Sequence, residues 1–218
     1  MKKSIRTSVV ILAMASIGAL LYSGFAPISE ASLVQQLGQQ ALMLPVKPLQ
    51  QMRVTSCGEA AITMAYNYAN SQEPIQESEV LAYATKMGYF TAERPPFTSP
   101  ANMVKIAENY ADKLSTGRAL TQDQALRLLV QKLQKDEPII IDVRTRLDDP
   151  TAGAHFVVVT GISIAPATTN TILIHYNDPL TGQTESAPWV GEDGIWNAWQ
   201  NNDDPGGSGW WMTIRSGW

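Results

Sequence analysis

One cysteine, Cys57, occurs in the 218 residues, in the setting Thr55-Ser56-Cys57-Gly58-Glu59-Ala60-Ala61. A lone thiol cannot form an intramolecular bridge, so it is either buried filler or a reactive group. Its place at the mouth of a predicted helix favours reactivity. A helix N-terminus offers unpaired N–H groups and a partial positive charge, which lower a thiol pKa, and Gly58 leaves room for a substrate beside the backbone. A thiolate nucleophile also needs a base and donors for the oxyanion that follows. Only His155 and His175 can serve as base. His155 heads an apolar strand after Gly153-Ala154, where it can project from a sheet edge into a cleft. His175 lies inside a strand on the same face as Leu173, a position more usual for packing or solvent, so His155 is preferred. An imidazole base needs an acceptor on its other nitrogen. Asp178, ending the next predicted strand, can reach it if the two strands pair antiparallel. Asn177 is the other acceptor on offer, but alternation sends its side chain to the opposite face. Asn177-Asp178-Pro179 also reads as a simple turn cap.

These groups need elements to hold them. Ile62, Ala65, Tyr66 and Ala69 follow helical spacing, so the chain from Cys57 to Asn70 is a predicted helix with Cys57 in its first turn. Val80, Tyr83, Ala84 and Met87 mark a second helix, closed by Gly88. Ser99-Pro100 is an N-cap followed by proline at the first helical position, ahead of Met103, Ile106, Ala107 and Tyr110. Thr121-Gln122-Asp123-Gln124 has the capping-box arrangement before Leu126, Leu129, Val130 and Leu133. After Pro138 the texture turns β-branched, with strands predicted at Ile139–Val143, Phe156–Ile162 and Thr171–Tyr176. Ile195, Trp196 and Trp199 suggest a short helix, residues 203–209 a loop, and Trp210–Ile214 a last strand. Helices first and strands afterwards indicate an α+β domain.

The composition, 44% hydrophobic and 17% charged, is that of a globular chain with one sizeable core. Lys2, Lys3 and Arg6 precede an apolar run from Val9 to Leu21, the layout of a secretory signal over residues 1–31. Pro27 disfavours cleavage after Ala26, and Ser29-Glu30-Ala31 is the better small-x-small site. The run through Phe25 is nearly long enough to span a bilayer, so membrane attachment through an uncleaved N-terminal anchor is the alternative. Either way the working domain, 49–218 after a lead-in over 32–48 with one possible helical turn, is expected outside the cytoplasm. Residues 1–31 hold three of the 16 basic residues and one of the 20 acidic ones. The remainder therefore carries a net charge of −6, which argues against a nucleic-acid partner. One Cys and two separated His offer no zinc spacing. Asp148-Asp149 and Asp203-Asp204 read as loop residues rather than a calcium site. No cofactor is implied, and nothing in the chain signals an oligomeric state.

From about Leu49 to Trp218 the chain resembles the papain-like bacteriocin-processing cysteine peptidases, the double-glycine leader peptidases, and particularly their stand-alone secreted relatives. The resemblance is carried by Gln51, six residues before the cysteine, by Ser56-Cys57-Gly58 and its helix, and by the Thr98-Ser99-Pro100 helix start. It continues through Pro138-Ile139-Ile140-Ile141, His155-Phe156-Val157-Val158-Val159-Thr160-Gly161 and Asn177-Asp178-Pro179. It implies a papain-like fold, a helical N-terminal part with the nucleophile at a helix N-terminus, packed on a C-terminal antiparallel sheet. It also implies Cys57 as nucleophile, His155 as general base and acid, Asp178 as orienting acceptor, and Gln51 as side-chain donor to the oxyanion. Family members often have proline where Glu59 stands; a carboxylate there suits the helix N-terminus but would repel a thiolate if turned inward. Double-glycine specificity does not come with the resemblance.

The expected activity is hydrolysis of peptide bonds in a peptide or protein substrate through a thioester. Transpeptidation or amide hydrolysis on the same triad is the nearest alternative. A non-catalytic peptide- or sugar-binding module is the other, resting on Trp189, Trp196, Trp199, Trp210, Trp211 and Trp218. Of these, Trp196, Trp199 and Trp211 are expected in the core, with Trp210 or Trp189 free to line a cleft.

Overall fold

The computed structural model describes residues 41–90, 97–165 and 171–215. The signal or anchor segment 1–31, the glutamines of the lead-in and Trp218 lie outside the described residues. The elements run β1 (Leu42–Met43), α1 (Cys57–Ala69), α2 (Glu77–Lys86), α3 (Pro100–Glu108), β2 (Lys113–Arg118) and α4 (Gln122–Leu133). Then come β3 (Ile139–Arg144), β4 (Ala154–Ile164), β5 (Ile172–Asp178), β6 (Gln183–Pro188), α5 (Ile195–Gln200) and β7 (Trp210–Arg215). This is an α+β fold on one seven-stranded antiparallel sheet, ordered β2-β7-β3-β4-β5-β6, with β1 against β4.

The helix starts follow from their caps. Ser99 Oγ accepts from Asn102 N–H and Thr121 Oγ1 from Gln124 N–H, while Gln124 reaches one residue beyond the box, to Leu120 N–H. Gly88 closes α2 with φ +71°. Helix α1 is the centre of the fold: Gly58 to Ala65 are all buried, not one stripe alone. It lies between the sheet and the other helices, so every face of its first two turns meets protein.

Three parts of the architecture depart from expectation. The lead-in has no helical turn among the described residues; Leu42 and Met43 pair with Ile162 and Gly161. Leu44 N–H donates to Thr160 O at 2.8 Å, and Leu44 and Val46 join the core. Strand β1 thus continues along the edge of β4 that β3 leaves beyond Ile139. Gly161 makes this possible, because a Cβ there would lie 2.8 Å from the Leu42 carbonyl oxygen and 2.3 Å from Met43 Sδ. Gly161→Ala is therefore expected to push β1 off the sheet, at a cost of about 1–3 kcal/mol in urea unfolding. Second, β2 and β6 were unforeseen. Lys113-Leu114-Ser115-Thr116-Gly117-Arg118 and Gln183-Thr184-Glu185-Ser186-Ala187-Pro188 form the two outer strands, largely polar and half-exposed. Edges of this kind lack the alternation that marks a half-buried strand. With β1 and β2 ahead of β3, the order is not helices first and strands after.

Third, Trp199 is in the core as expected, but the other described tryptophans are placed otherwise. Trp189, Trp199 and Trp210 are buried, while Trp196 and Trp211 are half-exposed. Trp199 Nε1–H donates to the Trp210 carbonyl at 2.6 Å, and Trp196 packs its ring against both Trp189 and Trp199. Trp210 meets Phe156 edge-on at 5.6 Å. The aromatics fasten α5 and β7 to the sheet rather than forming an open row.

Candidate active site

Cys57 is the first residue of α1 and is half-buried. Ser56 occupies the N-cap position yet does not cap. Its hydroxyl donates to Glu77 Oε1 at 2.7 Å and accepts from Arg53 N–H at 3.0 Å. Glu77 also accepts from Met52 N–H at 2.9 Å. The loop before the cysteine is therefore tied to α2, and the first N–H groups of α1 stay uncapped by side chain.

His155 is the second residue of β4 and Asp178 the last of β5. Val158 stands opposite Asn177 in the β4–β5 ladder. Asp178 therefore falls opposite Val157, two residues from His155 and on the same face. His155 Nε2 lies 2.6 Å from Asp178 Oδ1, with both side chains buried. Cys57, at the start of α1, is close enough to the imidazole to help raise its pKa. Burial alone would lower the His155 pKa. The bond from Asp178, the bond and charge of Cys57 and the charge of Asp178 together outweigh it and hold the ring up to about 10. Burial pushes Asp178 upward, but the His155 bond and charge and the N–H groups of Leu180 and Thr181 bring its pKa below the ordinary value.

The turn after Asp178 is shaped by Leu180 N–H, which donates to Asp178 Oδ1 at 2.7 Å, and by Gly182 at φ +67°. Gly182 abuts Gln50, and Gln51 N–H donates to Pro179 O at 2.8 Å. The approach to Cys57 and the turn after Asp178 thus brace each other.

The remaining candidates are engaged elsewhere. Gln51 Nε2 donates to the carbonyls of both Arg53 and Val54 at 2.7 Å. This spends both amide hydrogens, so none faces an oxyanion in this arrangement; its Oε1 is buried without a donor among the described residues. Asn177 is buried, donates to Val46 O at 2.9 Å and accepts from Thr184 Oγ1 at 2.7 Å, pinning the lead-in. His175 Nε2 meets Ser163 Oγ at 2.7 Å, and burial lowers its pKa. Glu59 is buried with Oε1 accepting from Thr98 Oγ1 at 2.6 Å. Burial, first among its causes, raises the Glu59 pKa.

Ser56 and Glu77 were missed because each looks ordinary in sequence, a cap and a first-turn glutamate. Among the described residues no three His, Cys, Asp or Glu are placed to hold a metal ion. A cleft of about 900 Å³ opens between residues 45–52 and helices α1 and α2, walled by Lys47, Leu49, Met52, Tyr68 and Ile75. Cys57, His155 and Asp178 are not in its wall.

Comparison with curated proteins gave no match. The model of a family described as Peptidase_C39 like matches residues 43–204, a span that holds Gln51, Cys57, His155 and Asp178. By that match over most of its length, the chain belongs to the Peptidase_C39-like family, a family of cysteine peptidases.

Proposed function

We propose that the protein hydrolyses peptide bonds through Cys57, with His155 as base and acid and Asp178 as its orienting acceptor. The observation that carries this reading is the 2.6 Å bond between His155 Nε2 and Asp178 Oδ1, with Cys57 at the start of α1 close enough to help raise the imidazole pKa. An imidazole held up to about 10 keeps its proton at neutral pH and supplies the positive charge and the general acid that a cysteine nucleophile needs. The sulfur attacks the scissile carbonyl carbon, and an S–C bond forms as the C=O electrons move onto oxygen. The N–H of Cys57 at the helix start receives that oxyanion; Gln51 joins it only after its amide leaves the Arg53 and Val54 carbonyls. His155 then gives its proton to the leaving amine and the C–N bond breaks. Water, deprotonated by His155, attacks the thioester and returns the thiolate. The substrate is a peptide or protein met outside the cytoplasm, a setting supported by Lys2, Lys3 and Arg6 ahead of the apolar run.

With a single thiol in the chain, iodoacetamide reads Cys57 alone. Alkylation of the full chain is expected to stay fast well below the free-thiol pKa of about 8.5, and to fall to an ordinary thiol profile in His155→Ala. A wild-type rate that already follows an ordinary thiol would remove the nucleophile assignment.

A further inference from the structure

Buried polar groups outside the Cys57–His155–Asp178 line converge beneath the first turn of α1. Asp142 sits in β3 among isoleucines and Val143, wholly buried, and among the described residues neither carboxylate oxygen has a well-formed hydrogen bond, though the His155 backbone N–H lies near. Its cross-strand partner is Phe156, the neighbour of His155. Phe156 in turn lies 3.3 Å from where a side chain on Gly58 would begin. The loop after α5 closes over this carboxyl. Asn202 Nδ2 donates to the Asp142 backbone carbonyl at 2.8 Å. Gly207 comes so near that a Cβ would stand 2.3 Å from Asp142 Oδ2. Asp204 brings a second carboxyl to the same spot, its Oδ1 also buried and undonated: that Gly207 Cβ would stand 3.0 Å from Asp204 Cβ as well.

Ionised carboxylates only accept hydrogen bonds, and two of them in contact away from water repel. One proton between them turns the contact into an attraction. We propose that Asp142 and Asp204 share a single proton as an acid–carboxylate pair, which clamps the 201–209 loop onto β3 and positions His155 and Cys57. Asp142 is then a positioning residue and touches no substrate.

The groups facing it from each side agree with a neutral Asp142. Burial acts first, then the charge and the hydrogen bond of Asp204, then the charge of Cys57 on α1; only the His155 backbone N–H on β4 favours ionisation. Together they push Asp142 up to about 9. Asp204 is raised to about 6, by burial against the Asp142 bond, with Asp203 beside it adding to the rise. On β3 itself the Arg144 guanidinium is turned away, donating to Leu147 O at 2.6 Å. At neutral pH the acid is Asp142, the carboxylate Asp204, and the pair adds one negative charge where two would oppose the thiolate.

The positioning role rests on the reading of Cys57 as nucleophile; the shared proton does not. The full-length protein and its Asp142→Asn and Asp142→Ala variants separate the two. Infrared spectra at pH 7 are expected to show a carboxylic-acid carbonyl component that Asp142→Asn removes; an unchanged component overturns the shared proton. An amide can donate to Asp204 as the acid does, so an Asp142→Asn variant that fails to fold overturns it as well. Cys57 alkylation at pH 7 is expected to drop about tenfold in Asp142→Ala, the scale of one lost buried hydrogen bond, and to return to within about twofold of wild type in Asp142→Asn. Wild-type reactivity in the alanine variant, or no recovery in the asparagine variant, overturns the positioning role. An ordinary thiol in the wild type would instead overturn the Cys57–His155 reading, with the infrared result standing by itself.

Discussion

Cys57→Ala is expected to abolish peptide-bond cleavage, with a fall of at least about 10⁴-fold in kcat. The chain holds no second thiol to take its place. Alanine is the best helix former and Cys57 is only half-buried, so the variant should stay within about 1 kcal/mol of wild-type stability. Loss of activity can then be assigned to the missing sulfur and not to unfolding. The change has a second readout, because the Cys57 bond and charge help to raise His155. In Cys57→Ala the imidazole should titrate at lower pH than in wild type, as followed by its ring protons in NMR. Cleavage of an unfolded protein substrate by the alanine variant, judged by mass spectrometry of the products, would sink the thioester route.

Asp178→Ala is expected to lower kcat/KM by about 10²–10⁴-fold, because the ring loses the acceptor that fixes its tautomer and angle. Asp178→Asn should lose less than Asp178→Ala at pH 7, because an amide oxygen can still accept from the ring. Leu180 N–H already points at Oδ1, so the amide is held with its oxygen toward both that donor and His155 Nε2. The asparagine removes charge while keeping the acceptor. Stability against pH carries the same signature. His155 is raised from 6.5 to about 10, so its contribution is complete below about 6.5 and is lost as pH rises through about 10. Asp178 is lowered from 3.8, so its contribution is complete above that value and is lost as pH falls through the lowered one. Urea unfolding across pH should show both limbs in wild type and flattened limbs in Asp178→Ala. Equal pH profiles for the two proteins would rule out the pair as a coupled unit.

Which parts of this arrangement were legible in the sequence follows from burial. The helices at Cys57, Pro100 and Gln122 announce themselves by spacing and caps, and β3, β4 and β5 by apolar β-branched runs. The edges β2 and β6 carry no such mark, since their outer sides meet water and their side chains stay polar. The lead-in was opaque for another reason. The two residues of β1 are admitted by a glycine on β4 and Val46 after them is held by the Asn177 side chain, both far along the chain, and no local pattern encodes that. Cys57, His155 and Asp178 could be singled out by chemistry and strand order. Gln51 came from resemblance alone, and its amide points to its own loop. Asp142 was hidden in plain view, a single acid inside the apolar strand Ile139–Val143. Its meaning depends on Asp204, which looked like one more loop residue.

Strand β7 lies between β2 and β3, so a strand made after both of them fills a place inside the sheet. Until it arrives, β2 has no partner and β3 keeps one open edge. On a ribosome the β3–β4–β5–β6 meander, with His155 and Asp178 already adjacent, can form while Trp210–Arg215 are still to come. Sheet closure must wait for these long-range pairings, which are the slow and aggregation-exposed steps of folding. A chain stopped before Trp210 would carry Cys57, His155 and Asp178 while the edges of β2 and β3 that β7 covers stayed open. Trp210–Arg215 thus time the closing of the sheet, and a nascent chain needs protection until they emerge.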